Sequence, residues 1–446
     1  MILRPRGTRL ATALALLVSL GGCSLLGHHA DRGPKTAVLG NRVSILNLGS
    51  DVVVDPSLAD VPVVVPEPVA NDSWTQPGGN ATKVMGNLAL PLALHPGWSA
   101  RIPGGDITQR IGSPPAIADG KLFVIDADAV VHAFDAKTGA RLWQTALDTV
   151  KRDRVVLFGG GVSVDGGRVF ATTGRGDAAA IDAASGKLVW KVRVGGPLRG
   201  APAIGGGNVY VLSQDNQIFA LKPETGETIW TVSATLQTSG VFGVGTPAIA
   251  QGTVVAGFSS GELSALRYEN GRIVWQDQLS RTSISTSVSA ISDIDASPVI
   301  DQGKVYAIGQ GGRMVAMDLI NGQRLWELVV GGINTPWLAG EWLFVVTDDA
   351  KLICIARTTG KIRWISQLPH WHDRKTKNKP INWYGPVLAG GRLMLVSDGG
   401  KLVNVAVADG KIGTETNAGK GFYLPPVVAN NMLYLLDDKG RISTWR

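Results

Sequence analysis

The chain has 446 residues, of which 57 are Gly and 18% are charged, and its formal net charge at pH 7 is +7. This composition argues against a disordered chain and favours short strands joined by tight turns. Three of the basic residues, Arg4, Arg6 and Arg9, lie in the N-terminal leader; without them the net charge falls to about +4, which gives no reason to expect nucleic-acid binding.

The chain begins with a basic stretch and an apolar run from Leu10 to about Leu20, which is too short to span a bilayer. We interpret residues 1–22 as a secretory signal peptide. The leader ends in LGGC, which resembles the bacterial lipobox and predicts lipid attachment at Cys23. Ser24, rather than Asp, resembles an outer-membrane address, and several acyl chains on Cys23 would anchor the protein stably at the periplasmic face. The alternative is an unlipidated leader with a chance cysteine.

Residues 23–80 are rich in Pro and lack the repeat that follows. We interpret them as an extended, lipid-anchored tether, and it is left open whether part of it docks on the folded domain, 81–446. The second cysteine of the chain, Cys354, has alternating apolar neighbours and is predicted to be a small buried hydrophobe. With Cys23 acylated, no intramolecular disulfide can form.

From about residue 90 the chain repeats two elements. One is a polar turn ending in Gly, followed by a short apolar run closed by Trp, as in FDAKTGARLWQ and IDAASGKLVWK. The other is a PAI-like run followed by a Gly turn and a second apolar run, as in SPPAIADGKLFVID. Each unit therefore contains four short strands, a to d, which is the pattern of a β-propeller blade. The repeated Trp residues lie 38 to 51 residues apart, at Trp98, Trp143, Trp190, Trp230, Trp275, Trp326 and Trp364.

The ends of the repeat predict how the propeller closes. The last unit, from Leu424, ends at Arg446 without a strand d, whereas the element around Trp98 has no strands a to c before it. The N-terminal strand should therefore complete the C-terminal blade and remove both exposed edges. The prediction is an all-β protein with eight four-stranded blades. A seven-bladed alternative would omit the unit in which Thr414 replaces Trp, although the rest of that unit is intact. Each Trp is expected to pack on the neighbouring blade; the alternative is stacking on a cofactor.

The repeated TG…W units, together with WTQPGGN at 74–80, resemble the family of pyrroloquinoline-quinone-like propellers over about residues 72–446. That family includes quinoprotein dehydrogenases, so one alternative is a pyrroloquinoline-quinone-dependent periplasmic dehydrogenase or a degenerate cofactor-binding relative. The chain lacks the adjacent cysteines and long insertions of those enzymes, and His370 and His372 have no obvious third metal ligand. We therefore expect no enzyme activity, no cofactor and no metal.

A narrower resemblance is to the BamB family of lipid-anchored, eight-bladed propellers without quinone chemistry. This resemblance implies a non-enzymatic scaffold of the β-barrel assembly machine, which helps outer-membrane β-barrel proteins to fold and insert. The implied partners are the periplasmic repeats of BamA, other components of the machine and the outer membrane through the lipid anchor. Whether unfolded outer-membrane proteins bind directly is left open.

Two segments carry the implied partner surface. PLRGAPAI at 197–204 and ISDIDASPVI at 291–300 resemble the family's BamA-binding segments, which transfers that role to Leu198, Arg199, Asp293 and Asp295. Both segments precede a strand a, so their loops should emerge on one face, where we expect the four residues to be solvent-exposed. The alternative is that the two Asp residues only brace their own loop. A basic loop at 368–383 should share this face and either contact an acidic partner or lipid head groups, or remain solvated.

Overall fold

Within the described residues, the strands of the computed structural model form eight four-stranded antiparallel sheets and one two-stranded hairpin. The leader, Cys23 and the rest of 1–51 lie outside the described residues. The residues that the structure describes are 52–106, 109–147, 160–236, 245–279, 293–310, 312–373 and 375–446.

The first four complete blades follow one another along the chain, after an N-terminal strand β1 (Pro96–Arg101). Blade 1 contains β2 (Ala116–Ala118), β3 (Lys121–Ile125), β4 (Val130–Asp135) and β5 (Arg141–Ala146). Blade 2 contains β6 (Gly160–Asp165), β7 (Arg168–Thr173), β8 (Asp177–Asp182) and β9 (Leu188–Arg193). Blade 3 contains β10 (Ala203–Gly205), β11 (Asn208–Leu212), β12 (Gln217–Leu221) and β13 (Thr228–Ser233). Blade 4 contains β14 (Ala248–Ala250), β15 (Thr253–Gly257), β16 (Glu262–Arg267) and β17 (Ile273–Gln278).

The next blades repeat this order, with one hairpin inserted. Blade 5 contains β18 (Val299–Asp301), β19 (Lys304–Gly309), β20 (Arg313–Asp318) and β21 (Arg324–Leu328). Blade 6 contains β22 (Trp337–Ala339), β23 (Trp342–Val346), β24 (Lys351–Ala356) and β25 (Ile362–Gln367). The hairpin is β26 (Trp371–Asp373) with β27 (Asn378–Pro380). Blade 7 contains β28 (Trp383–Ala389), β29 (Arg392–Ser397), β30 (Lys401–Ala406) and β31 (Ile412–Asn417).

Blade 8 confirms the predicted closure. Its strands are β32 (Val427–Ala429), β33 (Met432–Leu436), β34 (Arg441–Trp445) and the N-terminal β1, which pairs with β34 as strand d. The backbones of His95 and Arg446 exchange hydrogen bonds of 2.8 and 2.9 Å next to the start of β1 and the end of β34. The ring therefore closes through the sheet itself, and the eight-blade interpretation is correct.

The strands are short because turn residues interrupt them. Within a blade, strands a, b and c are the most buried. In blade 6, for example, every residue of β22 and β23 is buried, whereas the outer strand β25 is only partly covered. Cys354 is fully buried in β24, as predicted.

Each repeated Trp joins its blade to the next through a contact that we call the Trp latch. The indole N–H donates to a backbone carbonyl at the c–d turn of the following blade, for example from Trp275 to Leu319 at 2.9 Å and from Trp326 to Arg357 at 2.8 Å. The ring also lies on the Gly of that turn; a Cβ on Gly322, whose φ is +72°, would come within 2.5 Å of the Trp275 ring. This contact requires Gly. The predicted packing role of the Trp residues is confirmed.

The N-terminal segment runs over the propeller. Asp55 caps a short 3-10 helix (Pro56–Leu58), donates its N–H to the Ile362 carbonyl and pairs with Lys361, both at the outer strand of blade 6. Within the described residues, no helix is both long and apolar enough to cross a membrane. Residues 52–80, expected in a tether, thus lie in the same compact unit as the propeller.

Residues 71–90 then circle the inside of the central channel; we call them the inner ring. They contact the innermost strand or its turn in every blade, in the order 8, 1, 2, 3, 4, 5, 6 and 7. The contacts join Asn71 to Val428 and Asn430, Trp74 to Ile117, Thr75 to Val164, Gln76 to Ile204, Ala81 to Ile249, Thr82 to Ile300, Gly86 to Trp337 and Leu88 to Leu388. The inner ring therefore fills the end of the channel near the a–b turns.

Candidate functional site

The four predicted partner-binding residues lie on loops that enter strands a. Leu198 and Arg199 precede β10 of blade 3, and Asp293 and Asp295 precede β18 of blade 5. The two loops meet above the channel, on the face formed by the d–a and b–c loops, which we call the loop face. The prediction that these segments share a face is therefore confirmed.

Arg199 joins the two loops through a buried ion cluster. Its Nη2 donates to Asp293 Oδ1 at 2.8 Å and to Asp295 Oδ1 at 2.9 Å. The backbone holds the Arg199 residue in place, since its N–H donates to the Leu212 carbonyl and its carbonyl accepts from Gly160. One cation thus ties together blades 2, 3 and 5, and the two Asp residues do more than brace their own loop.

The expectation that these residues are exposed is wrong. Leu198 and Asp293 are 0% exposed, Arg199 is 3% exposed and Asp295 is 6% exposed. Leu198 packs with Phe170, Trp190 and other apolar residues of blades 2 and 3. A loop position near the axis of a propeller is covered by its neighbours on both sides, so a location on a loop did not imply exposure here.

The cluster holds one more carboxylate than cations. Burial, followed by repulsion from Asp293, raises the pKa of Asp295 to about 7, although Arg199 acts in the opposite direction. Near neutral pH the Asp295 carboxyl therefore changes between its neutral and its negatively charged form.

The exposed rim next to the cluster is formed by the loop before Leu198 and the b–c loop of blade 3. The Gln214 N–H donates to the Pro197 carbonyl at 2.7 Å, which fixes the two loops together. Asp215 is exposed beside Gly196 and offers a carboxylate to solvent. A partner on the loop face would meet these residues before the buried cluster.

A cavity of about 390 Å³ occupies the channel between the inner ring and the loop face. Its floor includes Trp74 and Lys83 of the inner ring, and Trp74 stacks on Trp337 with ring centroids 6.2 Å apart. Asp295 of the ion cluster lies in its wall. We call this space the central cavity; it connects the inner ring with the predicted partner surface.

The basic loop at 368–383 forms the hairpin β26–β27 between blades 6 and 7, on the loop face as predicted. Lys375, Lys377 and Lys379 are exposed on it, and His370 stacks on Trp371 at 4.3 Å. His372 contacts Asp398 at 3.2 Å, so the neighbouring His residues do not converge on one point. The acidic or lipid partner of this hairpin remains a prediction.

The side chains present do not fit a quinone bound with calcium. Among the described residues, no group of three or more His, Cys, Asp and Glu side chains could hold a metal ion. Cys354 is buried in the core of blade 6, away from any second described cysteine. Asp126 accepts backbone N–H groups from Asp128 and Val130 and contacts His132 at 2.6 Å, so it organises its own turn.

No pattern in the sequence indicates the central cavity. Lys83 and Trp74 lie in a stretch without repeat periodicity, and the Gln76 side chain is held by the backbone of Ile204, which is 128 positions away. The WTQPGGN stretch resembles a family feature, but its path inside the channel is apparent only in three dimensions.

A sequence model of the family described as outer membrane protein assembly factor BamB matches residues 97–156 and 127–366, which is more than half of the chain. The assembly factor BamB of Yersinia pestis is 27% identical over 350 residues, covering 77% of this chain and 87% of the relative. That of Escherichia coli (strain K12) is 27% identical over 270 residues, covering 60% and 69%.

Solved structures agree on the fold. The crystal structure of BamB from Moraxella catarrhalis superposes with a TM-score of 0.67 at 21% identity and covers 79% of this chain and 100% of that chain. A europium-containing methanol dehydrogenase superposes with a TM-score of 0.65 at 15% identity, covering 82% and 90%. These identities support the fold alone. The match of the family model decides the assignment: the chain belongs to the family of outer membrane protein assembly factor BamB, among the pyrroloquinoline-quinone-like β-propellers.

Proposed function

We propose that the protein is a non-enzymatic scaffold of the β-barrel assembly machine, anchored to the outer membrane through acylated Cys23, and that its loop face binds the periplasmic repeats of BamA. Relatives named as outer membrane protein assembly factors support the assembly role. The observation that carries the choice of face is the ion cluster, in which Arg199 joins both family-like segments at 2.8 and 2.9 Å.

The buried cluster and the exposed rim have different parts in this proposal. The cluster fixes the relative positions of the loops before blades 3 and 5, while the rim around Pro197 and Asp215 supplies the accessible contacts. Arg is suited to this joining role because its planar guanidinium can serve two carboxylates. Other assembly components and unfolded outer-membrane proteins are further partners that the same face would accommodate.

The test is titration of the purified mature chain against the soluble BamA repeats. Asp215→Arg should weaken binding by about 1.4 kcal/mol or more, a factor of ten, without changing the melting temperature. Glu224→Arg, in the exposed c–d turn of the same blade on the opposite face, is the matched control and should bind like the wild type.

A second variant tests the cluster. Arg199→Lys keeps the buried positive charge but loses the planar fork, so it should shift the loops and reduce the affinity for BamA with the fold intact. Arg199→Glu is unsuitable, because it would bury three carboxylates and destabilise the protein by several kcal/mol, roughly the scale of a broken buried ion pair. If both Asp215→Arg and Arg199→Lys bind normally, the loop face is not the BamA site.

The anchor and the absence of catalysis have separate tests. Cys23→Ser should release a folded protein into the periplasmic fraction, and sedimentation of this variant with membranes would contradict lipid anchoring at Cys23. Pyrroloquinoline quinone with calcium should produce no dye reduction by the purified protein. Alcohol-dependent reduction would favour the dehydrogenase alternative.

A further inference from the structure

Lys83 is a buried amine without a described counter-ion. It is 2% exposed and lines the central cavity. Its Nζ lies 3.4 Å from Gln76 Oε1, at the outer limit of a hydrogen bond, and Gln76 is itself occupied by both backbone polar groups of Ile204. No salt bridge to Lys83 occurs among the described residues. Burial lowers the pKa of Lys83 to about 7.

A second polar group in the lining of the same cavity lacks a partner. The indole N–H of Trp74, a residue that is 1% exposed and lines the same cavity, has no acceptor among the described residues. An unsatisfied buried donor costs about 1–3 kcal/mol. Both groups are hydrogen-bond donors, and one of them can carry a positive charge. The floor of the cavity therefore favours an anionic acceptor.

The walls of the cavity are largely apolar, although Arg110 and Asp295 also line them. They include the rings of Trp337, Tyr384 and Tyr423, and the side chains of Val387 and Leu424. A volume of about 390 Å³ is in the range of sites for small organic ligands, which typically place a few polar groups in an apolar surround. A small inorganic anion would leave these rings uncovered, whereas an anion with an apolar body would cover them.

We propose that the central cavity binds a carboxylate attached to an apolar or aromatic body, with Lys83 pairing with the carboxylate and the aromatic wall holding the body. The carboxylate would accept from Lys83 Nζ and satisfy the Trp74 N–H. Two sources share this chemistry, a free aromatic or aliphatic acid and the C-terminal residue of a peptide. The inference goes beyond the proposed scaffold role and does not depend on BamA binding.

Calorimetric titration of the purified mature chain tests the proposal with matched pairs of probes. N-acetyl-phenylalanine represents the free acid, and an octapeptide with C-terminal Phe represents the chain end. Each is compared with its C-terminal amide, which has the same body without the charge. At least one acid should bind, and its amide should bind about tenfold or more weakly, as expected for loss of a charge-assisted hydrogen bond.

Variants connect the binding to the cavity. Lys83→Met should abolish the preference for the acid over the amide, whereas Lys137→Met, at an exposed c–d turn, should leave it unchanged. Trp74→Phe keeps an aromatic ring against Trp337 but removes the N–H, so it should reduce acid binding several-fold. This variant provides the test if Lys83→Met does not fold. Binding of only one source would support the proposal and identify that source. Equal binding of acid and amide, no binding of either acid, or full acid preference in both variants would overturn it.

Discussion

Asp295 shows how a buried carboxylate can set the pH dependence of this protein. It shares one guanidinium nitrogen with Asp293, and its exposed fraction is only 6%. Its pKa is raised from 3.8 to about 7 in the folded state, chiefly by burial and then by Asp293. Between these two pH values the folded state holds a proton that the unfolded state has released. The contribution of Asp295 to stability therefore falls as the pH rises from about 4 to about 7.

Asp295→Asn should remove this dependence. The amide is neutral at every pH and can still accept a hydrogen bond from Arg199, while the repulsion between two carboxylates disappears. Relative to the wild type, the variant should gain stability as the pH rises from 4.5 to 8, by an amount on the order of 1–4 kcal/mol. Urea unfolding at the two pH values measures this change.

Asp215→Asn, at an exposed position of the same face, is the control and should follow the wild-type pH dependence. If Asp295→Asn also runs parallel to the wild type between pH 4.5 and 8, Asp295 is not protonated in the folded protein and the electrostatic account of the cluster is wrong.

At the level of elements, the Trp latch explains both the repeat and its exception. Each Trp packs on the c–d turn of the next blade, so a blade needs this Trp only if such a turn follows. Blade 7 is followed by blade 8, in which strand c is the last strand, β34, and strand d is the first strand, β1, so no turn connects them. Thr414 stands at the Trp position of blade 7. The absence of Trp there is thus a consequence of ring closure.

The latch can be tested with two Gly residues of blade 5. Gly322 and Gly303 have nearly equal φ values, +72° and +73°, but a Cβ on Gly322 would meet Trp275 at 2.5 Å whereas one on Gly303 would meet nothing within 4 Å. Ala at either position introduces similar backbone strain. Gly322→Ala should therefore destabilise the protein by about 1–3 kcal/mol more than Gly303→Ala, through overpacking against the ring.

Chemical denaturation of the two Ala variants gives the comparison directly, because the backbone contribution cancels. Equal losses of stability would mean that the Trp275 ring moves aside at little cost, and the latch would then contribute little to the cohesion between blades.

The blades were predictable from the sequence because each one repeats local information. Alternating strands, Gly turns and a Trp at a fixed place recur along the chain, and the pairing of β1 with β34 followed from the unpaired ends. The burial of Arg199 was not predictable in this way. Its environment is set by Asp293 and Asp295, which lie 94 and 96 positions further along the chain. A motif can locate such residues in a loop, but only packing decides how much of them solvent reaches.

On the scale of the whole molecule, the inner ring couples all eight blades to one segment. Successive residues of 71–90 reach the innermost strand or its turn in blade after blade, and Trp74 and Leu88 are at most 2% exposed. The strands of each propeller blade otherwise pack mainly on its two neighbours, with the Arg199 cluster joining blades 3 and 5, so local disorder in one blade need not be felt around the whole ring. Because one continuous segment contacts every blade, opening of one blade would also disturb the contacts of that segment with the other blades. The segment also supplies the floor of the central cavity.

Two deletions separate the inner ring from the segment before it. Removing 52–70 takes away surface contacts such as the Asp55–Lys361 pair, which solvent screens and weakens. This variant should remain folded and monomeric, with a slightly lower melting temperature.

Removing 52–90 also takes away Trp74 and Leu88 and leaves the inner edges of the strands a unpaired. Loss of two large buried side chains alone costs about 5 kcal/mol or more, which is comparable to the whole stability of many domains. We expect this longer deletion to aggregate or to unfold at a much lower temperature, as measured by calorimetry and size-exclusion chromatography. Similar melting temperatures for the two deletions would show that the blades hold together without the inner ring, and that its role is confined to the cavity.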